Sequence, residues 1–269
     1  MIFSIQSNVM HGYVGNRASL PFYHLCGLET SHLDTVRLAA HPGYGTKAKD
    51  VMPAEAMRAL FHDYLALSDT TPFTAFHTGY FGTAAQVSAS ADLISALLER
   101  NPDMIVLVDP VFGDKGREYV APDVITTIIE RLLPLADIIT PNQFELSYLA
   151  NQPIGNVTHA KSALPTIITK PNQIAIATGI NGDANIHDIC LENDQMHDIS
   201  APLLESGVSG AGDAFASLIL SQIVSGKTTP QALKIASQIT HHMVRQSKSP
   251  LTMNIASGLS AYQSISSKG

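Results

Sequence analysis

The stretch SGAGDAFASLILSQIVSG, residues 209–226, sets three small residues, Gly210, Ala211 and Gly212, ahead of an acid and an apolar helix. A plain turn has no use for a carboxylate at the point where glycines enter a hydrophobic helix. A dinucleotide-binding fingerprint would need a third glycine where this chain has Phe215, so the stretch is not a Rossmann turn. Successive amides of such a turn, together with the helix N-terminus, form a concave donor site for an anion. Asp213 beside that site could take a proton from an attacking hydroxyl, because phosphoryl transfer needs positioning and charge neutralisation more than a strong base. Equally, the helix dipole favours an acid in a first turn, with the glycines serving the turn alone. The stretch by itself leaves both readings open.

Outward from it, short apolar runs alternate with longer helical patterns. The runs are Ile2–Gln6, Phe73–Phe76, Met104–Val108, Asp137–Ile139 and Ile174–Ala177. Helical spacing covers Pro53–Leu67, Ala84–Arg100 and Pro122–Leu133, and two long helices close the chain, from about Ala214 and from Pro230 to about Gln246. This alternation predicts an α/β fold, three layers α/β/α around a central, mostly parallel sheet. Ser31–Leu38 alternates polar and apolar, as a half-exposed strand at a sheet edge or in a small lid would. Ile186–Leu191 and Met196–Ile199, separated by ENDQ, read as a hairpin. No repeat or long linker divides the 269 residues, which predicts one domain.

In open parallel sheets ligands bind beyond the carboxyl ends of the strands. Each run here gives way to a polar segment bearing Gly or Pro: Ser7 with NVMHGYVGN, then HTGYFG, DPVFGDKG, TPNQFE and TGING. Asp109 ends one run, and Asn142 and Glu145 stand three apart in a first helical turn, on one face. Hard oxygen ligands near a phosphate site suit Mg²⁺, which keeps several waters and needs few protein contacts. TPNQFE also reads as an ordinary capped helix start, with Thr140 or Asn142 as the cap and Glu145 completing a capping box. Beside the GAGD turn, the metal reading is the stronger of the two.

Composition narrows the classes. The charge of −7 and the lack of any basic run argue against a nucleic-acid footprint. Cys26 and Cys190 have no metal-like spacing and read as two buried thiols of a reducing compartment. The start, MIFSIQSNVM, lacks a basic n-region, and the run Ala214–Val224 is too short to span a bilayer, so a soluble, cytoplasmic protein is expected. GKT at 226–228 is a helix C-terminal glycine, since a P-loop would need glycine at Ser221 and a strand before it. His241 and His242 are adjacent, point to different sides of a helix and read as structural filling.

With these pieces assembled, the chain resembles the pyridoxal kinases of the ribokinase-like superfamily, nearly end to end. The resemblance is carried by SIQSNVMHGYVGNRAS, TGYFG, DPVFGDKG, LADIITPNQFE and SGAGDAFASLIL. It implies ATP-dependent phosphorylation of the 5′-hydroxymethyl group of pyridoxal, extending to pyridoxine and pyridoxamine. By position, Asp213 would be the base, and the amides of Gly210, Ala211 and Gly212 the hole for the transferring phosphoryl. Ser7 would meet the pyridine ring, with Val14 and Tyr80 packed against it. Asn142, Glu145 and Asp109 would organise Mg²⁺. Thr178, Thr140 and Ser209 would lie along the nucleotide, and Asp114 and Tyr119 on a closing loop. A K⁺ requirement and a homodimer are further implications.

Three departures from the family pattern stand out. HPGYG places Pro42 where a threonine is usual, Ala211 replaces a Thr or Val, and the closing loop DKGREYV is short. Two other readings accompany the main one: a hydroxymethylpyrimidine kinase of the same fold, and a non-catalytic pyridoxal phosphate binder.

Overall fold

The computed structural model describes residues 1–68, 73–204, 208–249 and 251–266. Strand β1 (Ile2–His11) leads to α1 (Asn16–Leu25), β2 (Thr30–Ala40), β3 (Lys49–Val51) and α2 (Ala54–Ser68). Then come β4 (Ala75–Thr78), α3 (Ala84–Arg100), β5 (Ile105–Val108), a small ribbon of β6 (Gly113–Asp114) and β7 (Arg117–Glu118), and α4 (Pro122–Thr127). The chain continues through β8 (Ile138–Ile139), α5 (Gln143–Leu149), α6 (Val157–Ala163), β9 (Ile174–Asn181), β10 (Asn185–Glu192) and β11 (Gln195–Pro202). It closes with α7 (Ala211–Val224), α8 (Thr229–Gln246) and α9 (Ile255–Ser266).

Nine strands form one sheet in the order β11-β10-β9-β8-β5-β4-β1-β2-β3. The six inner strands are parallel, and β3, β10 and β11 run antiparallel at the edges. Period-two alternation sends neighbouring side chains to opposite faces. Phe3, Ile5, Phe76 and Val106 therefore join a core with α2, α3 and α4, while Ile2, Ala75 and Leu107 join one with α1, α7 and α8. Three layers result, as the alternation of elements predicts.

Several expectations are refined. β1 does not stop at Gln6: after a register shift between Gln6 and Asn8 it pairs with β2 as far as His11. Ser7 sits at that bulge, a feature common beside functional sites. Ser31–Leu38 belongs to β2, one place inside the edge that β3 forms. Helix α1 has no counterpart in the periodicity reading, and it carries Pro21 within it. The helix expected over Pro122–Leu133 holds α geometry to Thr127 and ends as a π-turn over Ile128–Leu132.

The hairpin β10–β11 forms as read, with Asn193 and Asp194 at positive φ in its two-residue turn. Gly226 takes φ +83 just past the end of α7, so GKT is a helix terminus. His241 lies on α8, its Nε2 bonded to the Pro202 carbonyl. Cys190 is buried, whereas Cys26 is only half-buried, its Sγ donating to the Tyr262 hydroxyl. No helix among the described residues is long and apolar enough to cross a membrane.

Candidate active site

The first turn of α7 is shaped by a close approach. Gly210 caps the helix at φ +88, and a Cβ there would fall 1.9 Å from the Tyr13 carbonyl oxygen and 3.6 Å from Val14 Cα. Glycine alone fits. The turn is thereby pressed against the loop that follows β1, and helix geometry leaves the first-turn amides of Ala211 and Gly212 without an intrahelical acceptor. Asp213, three residues into the helix, is half-buried and accepts hydrogen bonds from the Gly15 amide and from its own. Burial pushes its carboxyl above the usual range, and those amides offset the shift only in part.

Gly15 is the hinge of this arrangement. At φ +55, a Cβ on it would lie 2.0 Å from the Ser7 carbonyl oxygen and 2.8 Å from Ser7 Oγ. Ser7 at the bulge of β1, Gly15 before α1 and Asp213 on α7 thus meet, although the third is remote in the chain from the other two.

Across from them, Asp109 follows β5 and is buried. Its Oδ1 accepts from Thr140 Oγ1 at 3.0 Å, and its Oδ2 lies 4.0 Å from where a Gly212 Cβ would sit. No donor among the described residues reaches Oδ2. Burial, and then the charge of Asp213, push its carboxyl up to about 8, with the Thr140 bond pulling the other way. Such a proton-hungry oxygen is what a cation would satisfy.

Glu145 and Asn142 lie deeper in their own network. Asn142 Oδ1 accepts from the Phe144 and Glu145 amides, and Glu145 Oε2 from the Asn142 amide at 2.9 Å, a complete capping box. Glu145 Oε1 accepts from Phe112 N at 3.1 Å and Gly113 N at 3.4 Å, and Asn142 Nδ2 donates to the Gly113 carbonyl at 2.8 Å. Burial, then Asp109, raise the Glu145 carboxyl against the pull of those amides. The capping reading of TPNQFE is the one that forms, and Glu145 also lies within electrostatic reach of Asp109. Among the described residues no three His, Cys, Asp or Glu side chains gather closely enough to hold a metal alone.

The remaining predicted residues take up the rim. Thr178 bridges to Asn142, its amide donating to the Pro141 carbonyl at 2.9 Å. Asp114 ends β6 in the β6–β7 ribbon, whose turn places Lys115 and Gly116 at positive φ. Tyr119 is exposed, and burial of its ring together with Asp114, Glu145 and Asp213 raises its hydroxyl above the ordinary value. Ser209 Oγ lies 3.5 Å from His41 Nδ1, and His41 caps a short turn over Pro42–Tyr44. Pro42 itself is exposed, and Tyr80 is half-buried with its carbonyl bonded to Thr35 Oγ1. Neither Pro42 nor Tyr80 makes a hydrogen bond to Asp213. Sequence reasoning misses Gly15 and His41, since nothing but the glycine marks a contact with a helix so distant in the chain.

Burial of Asp109 has a measurable consequence for stability. An exposed aspartate titrates near pH ~3.9. The folded protein therefore binds the extra proton between that value and about 8, and stability falls as pH rises through this window. Asp109→Asn should melt higher than the wild-type protein at pH 8, by roughly 2–4 °C for each kcal/mol recovered, and the gap should narrow towards pH 4. An equal gap at both pH values in thermal scans would show that ionisation of Asp109 is not the cause.

Residues 38–257 match the family model described as phosphomethylpyrimidine kinase. A pyridoxal kinase of Actinobacillus pleuropneumoniae is 33% identical over 242 residues, covering 87% of this chain and 84% of that protein. In structure, a pyridoxal kinase of Entamoeba histolytica superposes with a TM-score of 0.89 at 25% identity, covering 97% of this chain and 95% of the other. A pyridoxal kinase of Leishmania donovani, solved with ADP and pyridoxine, has the same fold, with a TM-score of 0.89 at 24% identity and coverage of 97% and 95%.

Proposed function

The chain belongs to the phosphomethylpyrimidine kinase family, and from that membership we propose that it transfers the γ-phosphoryl group of ATP to the 5′-hydroxymethyl group of pyridoxal. Pyridoxine and pyridoxamine are further acceptors. The observation that carries the reading is Asp213, a half-buried carboxylate with raised proton affinity at the mouth of an amide-lined helix turn. The pyridoxal kinase of Actinobacillus pleuropneumoniae, similar over most of the chain, supports the choice of alcohol.

In this reading Ser7, Val14 and Tyr80 hold the pyridine ring so that its hydroxymethyl oxygen faces Asp213. The carboxylate accepts the hydroxyl proton as the oxygen attacks phosphorus in line with the departing ADP oxygen. The amides of Gly210, Ala211 and Gly212 receive the charge on the moving phosphoryl group. Their donors are already aimed, so little reorganisation is needed during transfer. Thr140, Thr178 and Ser209 line the nucleotide, and the ribbon bearing Asp114 with Tyr119 beyond it limits water at the reacting centre. No covalent enzyme intermediate is required.

The donor set fits a divalent cation. Asp109, through Oδ2, would hold it, and Asn142 and Glu145, whose oxygens already serve backbone amides, would help position it through water. Such an ion, Mg²⁺ in this proposal, supplies neutralisation of the phosphate charge. The same reading takes the protein as one cytoplasmic kinase domain acting as a homodimer, with K⁺ as an accessory ion.

Two observations keep hydroxymethylpyrimidine as a second acceptor to test: the description of the family model and Pro42 in the substrate loop. ATP-dependent phosphorylation of pyridoxal, pyridoxine, pyridoxamine and hydroxymethylpyrimidine should be measured side by side with Mg²⁺, with and without K⁺. Fast turnover of pyridoxal is expected. Preference for the pyrimidine would change the substrate and keep the mechanism, and vitamer binding with no turnover of any alcohol would leave a carrier protein.

Pro42 offers a finer test. It opens an exposed turn and lacks both a hydroxyl and a backbone donor. Pro42→Thr is expected to lower the KM for pyridoxal by a few-fold, about the value of one hydrogen bond. An unchanged or higher KM would show that Pro42 costs the substrate nothing.

A further inference from the structure

A strand buried on both faces in a parallel sheet ordinarily reads as a continuous apolar run. β1 and β4 break that rule most heavily on one face. Ser4, Gln6 and His77 all point to the α1 side and are fully buried, and so are the polar residues of α1 that meet them, Asn16, Ser19 and Tyr23. Burying this many polar groups is unfavourable unless each is bonded, and among these six only His77 Nε2 lacks a partner. Nothing in the site itself accounts for them.

Their hydrogen bonds run in one direction. Tyr23 Oη lies 2.6 Å from His77 Nδ1, and Gln6 Nε2 lies 3.0 Å from the same nitrogen. Because the amide can only donate, Nδ1 accepts, and burial holds the ring neutral with its pKa lowered to about 3. Gln6 Nε2 has two protons for three acceptors, Ser4 Oγ at 2.9 Å, His77 Nδ1 and Ser19 Oγ at 3.1 Å, and His77 Nδ1 already has the shorter bond from the Tyr23 hydroxyl. Ser19 has a single proton to give. The Asp213 backbone carbonyl stands 3.1 Å away, against 3.4 Å for Gln6 Oε1. The chain of bonds therefore ends on Asp213.

We propose that Ser19 is a positioning residue for phosphoryl transfer: backed by Gln6, its hydroxyl fixes the first turn of α7, and with it the carboxylate of Asp213, through the Asp213 carbonyl. The link joins α7 to the sheet through α1. It touches no substrate. Gly15 holds the carboxylate itself, and Ser19 holds the peptide that bears it. Two anchors on one residue define an orientation, where one would leave the turn free to rock. Bonded polar networks of this kind specify a geometry more sharply than apolar packing does.

The inference rests on the kinase reading, and the two fail separately. If the wild-type protein phosphorylates none of the four alcohols, that reading falls before Ser19 is tested. If it turns over, Ser19→Ala is expected to reduce kcat about tenfold, since small displacements of a reacting group cost rate, while the KM values for pyridoxal and ATP stay within about twofold. Ser19→Cys keeps the volume but is a weak donor, so it should lose rate with the alanine variant. It also answers the question should the alanine variant fold poorly. Ser217→Ala removes an equally buried hydroxyl that bonds only within α7, to the Ala214 carbonyl, and should leave kcat unchanged. A Ser19→Cys enzyme with the wild-type kcat, or a loss that Ser217→Ala reproduces, would overturn the proposal.

Discussion

Asp213→Asn is expected to keep the fold and the binding of both substrates while kcat falls by about 10²-fold or more, the usual scale for a positioned general base. The substitution is nearly isosteric. The amide oxygen can still accept the Gly15 N–H that the carboxylate accepts now, so the close contact of β1, α1 and α7 should persist. What disappears is the ability to take a proton from the attacking hydroxyl. The KM values should therefore stay near those of the wild-type protein, since interactions made equally in ground and transition states are untouched. Burial raises the proton affinity of Asp213, which strengthens it as a base above its own pKa and silences it below. Wild-type kcat should accordingly fall on the acid side, and the residual activity of the variant should lack that limb. Steady-state rates across pH would show both, and near-normal turnover by Asp213→Asn would remove this residue from the role of base.

Gly15→Ala should be among the most damaging single methyl groups in the molecule. At φ +55 and ψ −137 an alanine occupies a region open essentially to glycine alone, at a cost of about 1–3 kcal/mol. Its Cβ would stand 2.0 Å from the Ser7 carbonyl oxygen and 2.7 Å from the Ser7 carbonyl carbon. Both are backbone atoms of a central strand and cannot rotate away. Relief requires moving the bulge of β1 or the start of α1, for roughly 1–3 kcal/mol more. Together these terms predict a fall in melting temperature of roughly 5–15 °C for a chain of this size. The Gly15 amide also holds the Asp213 carboxylate, so activity should drop even at temperatures where the variant is fully folded. Gly27, also at positive φ, has open space where a Cβ would go and provides the comparison. Gly27→Ala should show only the milder conformational penalty and no loss of rate. If Gly15→Ala behaved like Gly27→Ala, the close approach would not govern the site.

The layers were legible because each depends on a local pattern. Short apolar runs separated by helical spacing force a parallel sheet covered on both faces, and ENDQ between two alternating runs forces a hairpin. The extent of β1 was not legible: NVMHGYVGN has the composition of a loop, and only pairing with β2 beyond the bulge at Ser7 makes a strand of it. Helix α1 escaped for a related reason. Its polar residues face a polar patch of the sheet, so the apolar period that announces a helix is broken by Asn16 and Ser19. Pro21 within the helix weakens the signal further.

The site divides along the same line. The sequence alone determined its chemical inventory: an amide-lined turn with an acid, Asp213; a second acid after a strand, Asp109; and the pair Asn142 and Glu145 at a helix start. Each of those signals is contained within a few residues, and local geometry translates it directly. Only the tertiary structure decided that Gly15, far back in the chain, donates to the Asp213 carboxylate, that Ser19 bonds the carbonyl of the same residue, and that Asn142 and Glu145 serve each other's backbone first. These contacts arise where strand ends, loops and helix termini converge from distant parts of the chain. A buried carboxylate takes its proton affinity from what surrounds it in space, and no spacing along the chain records that.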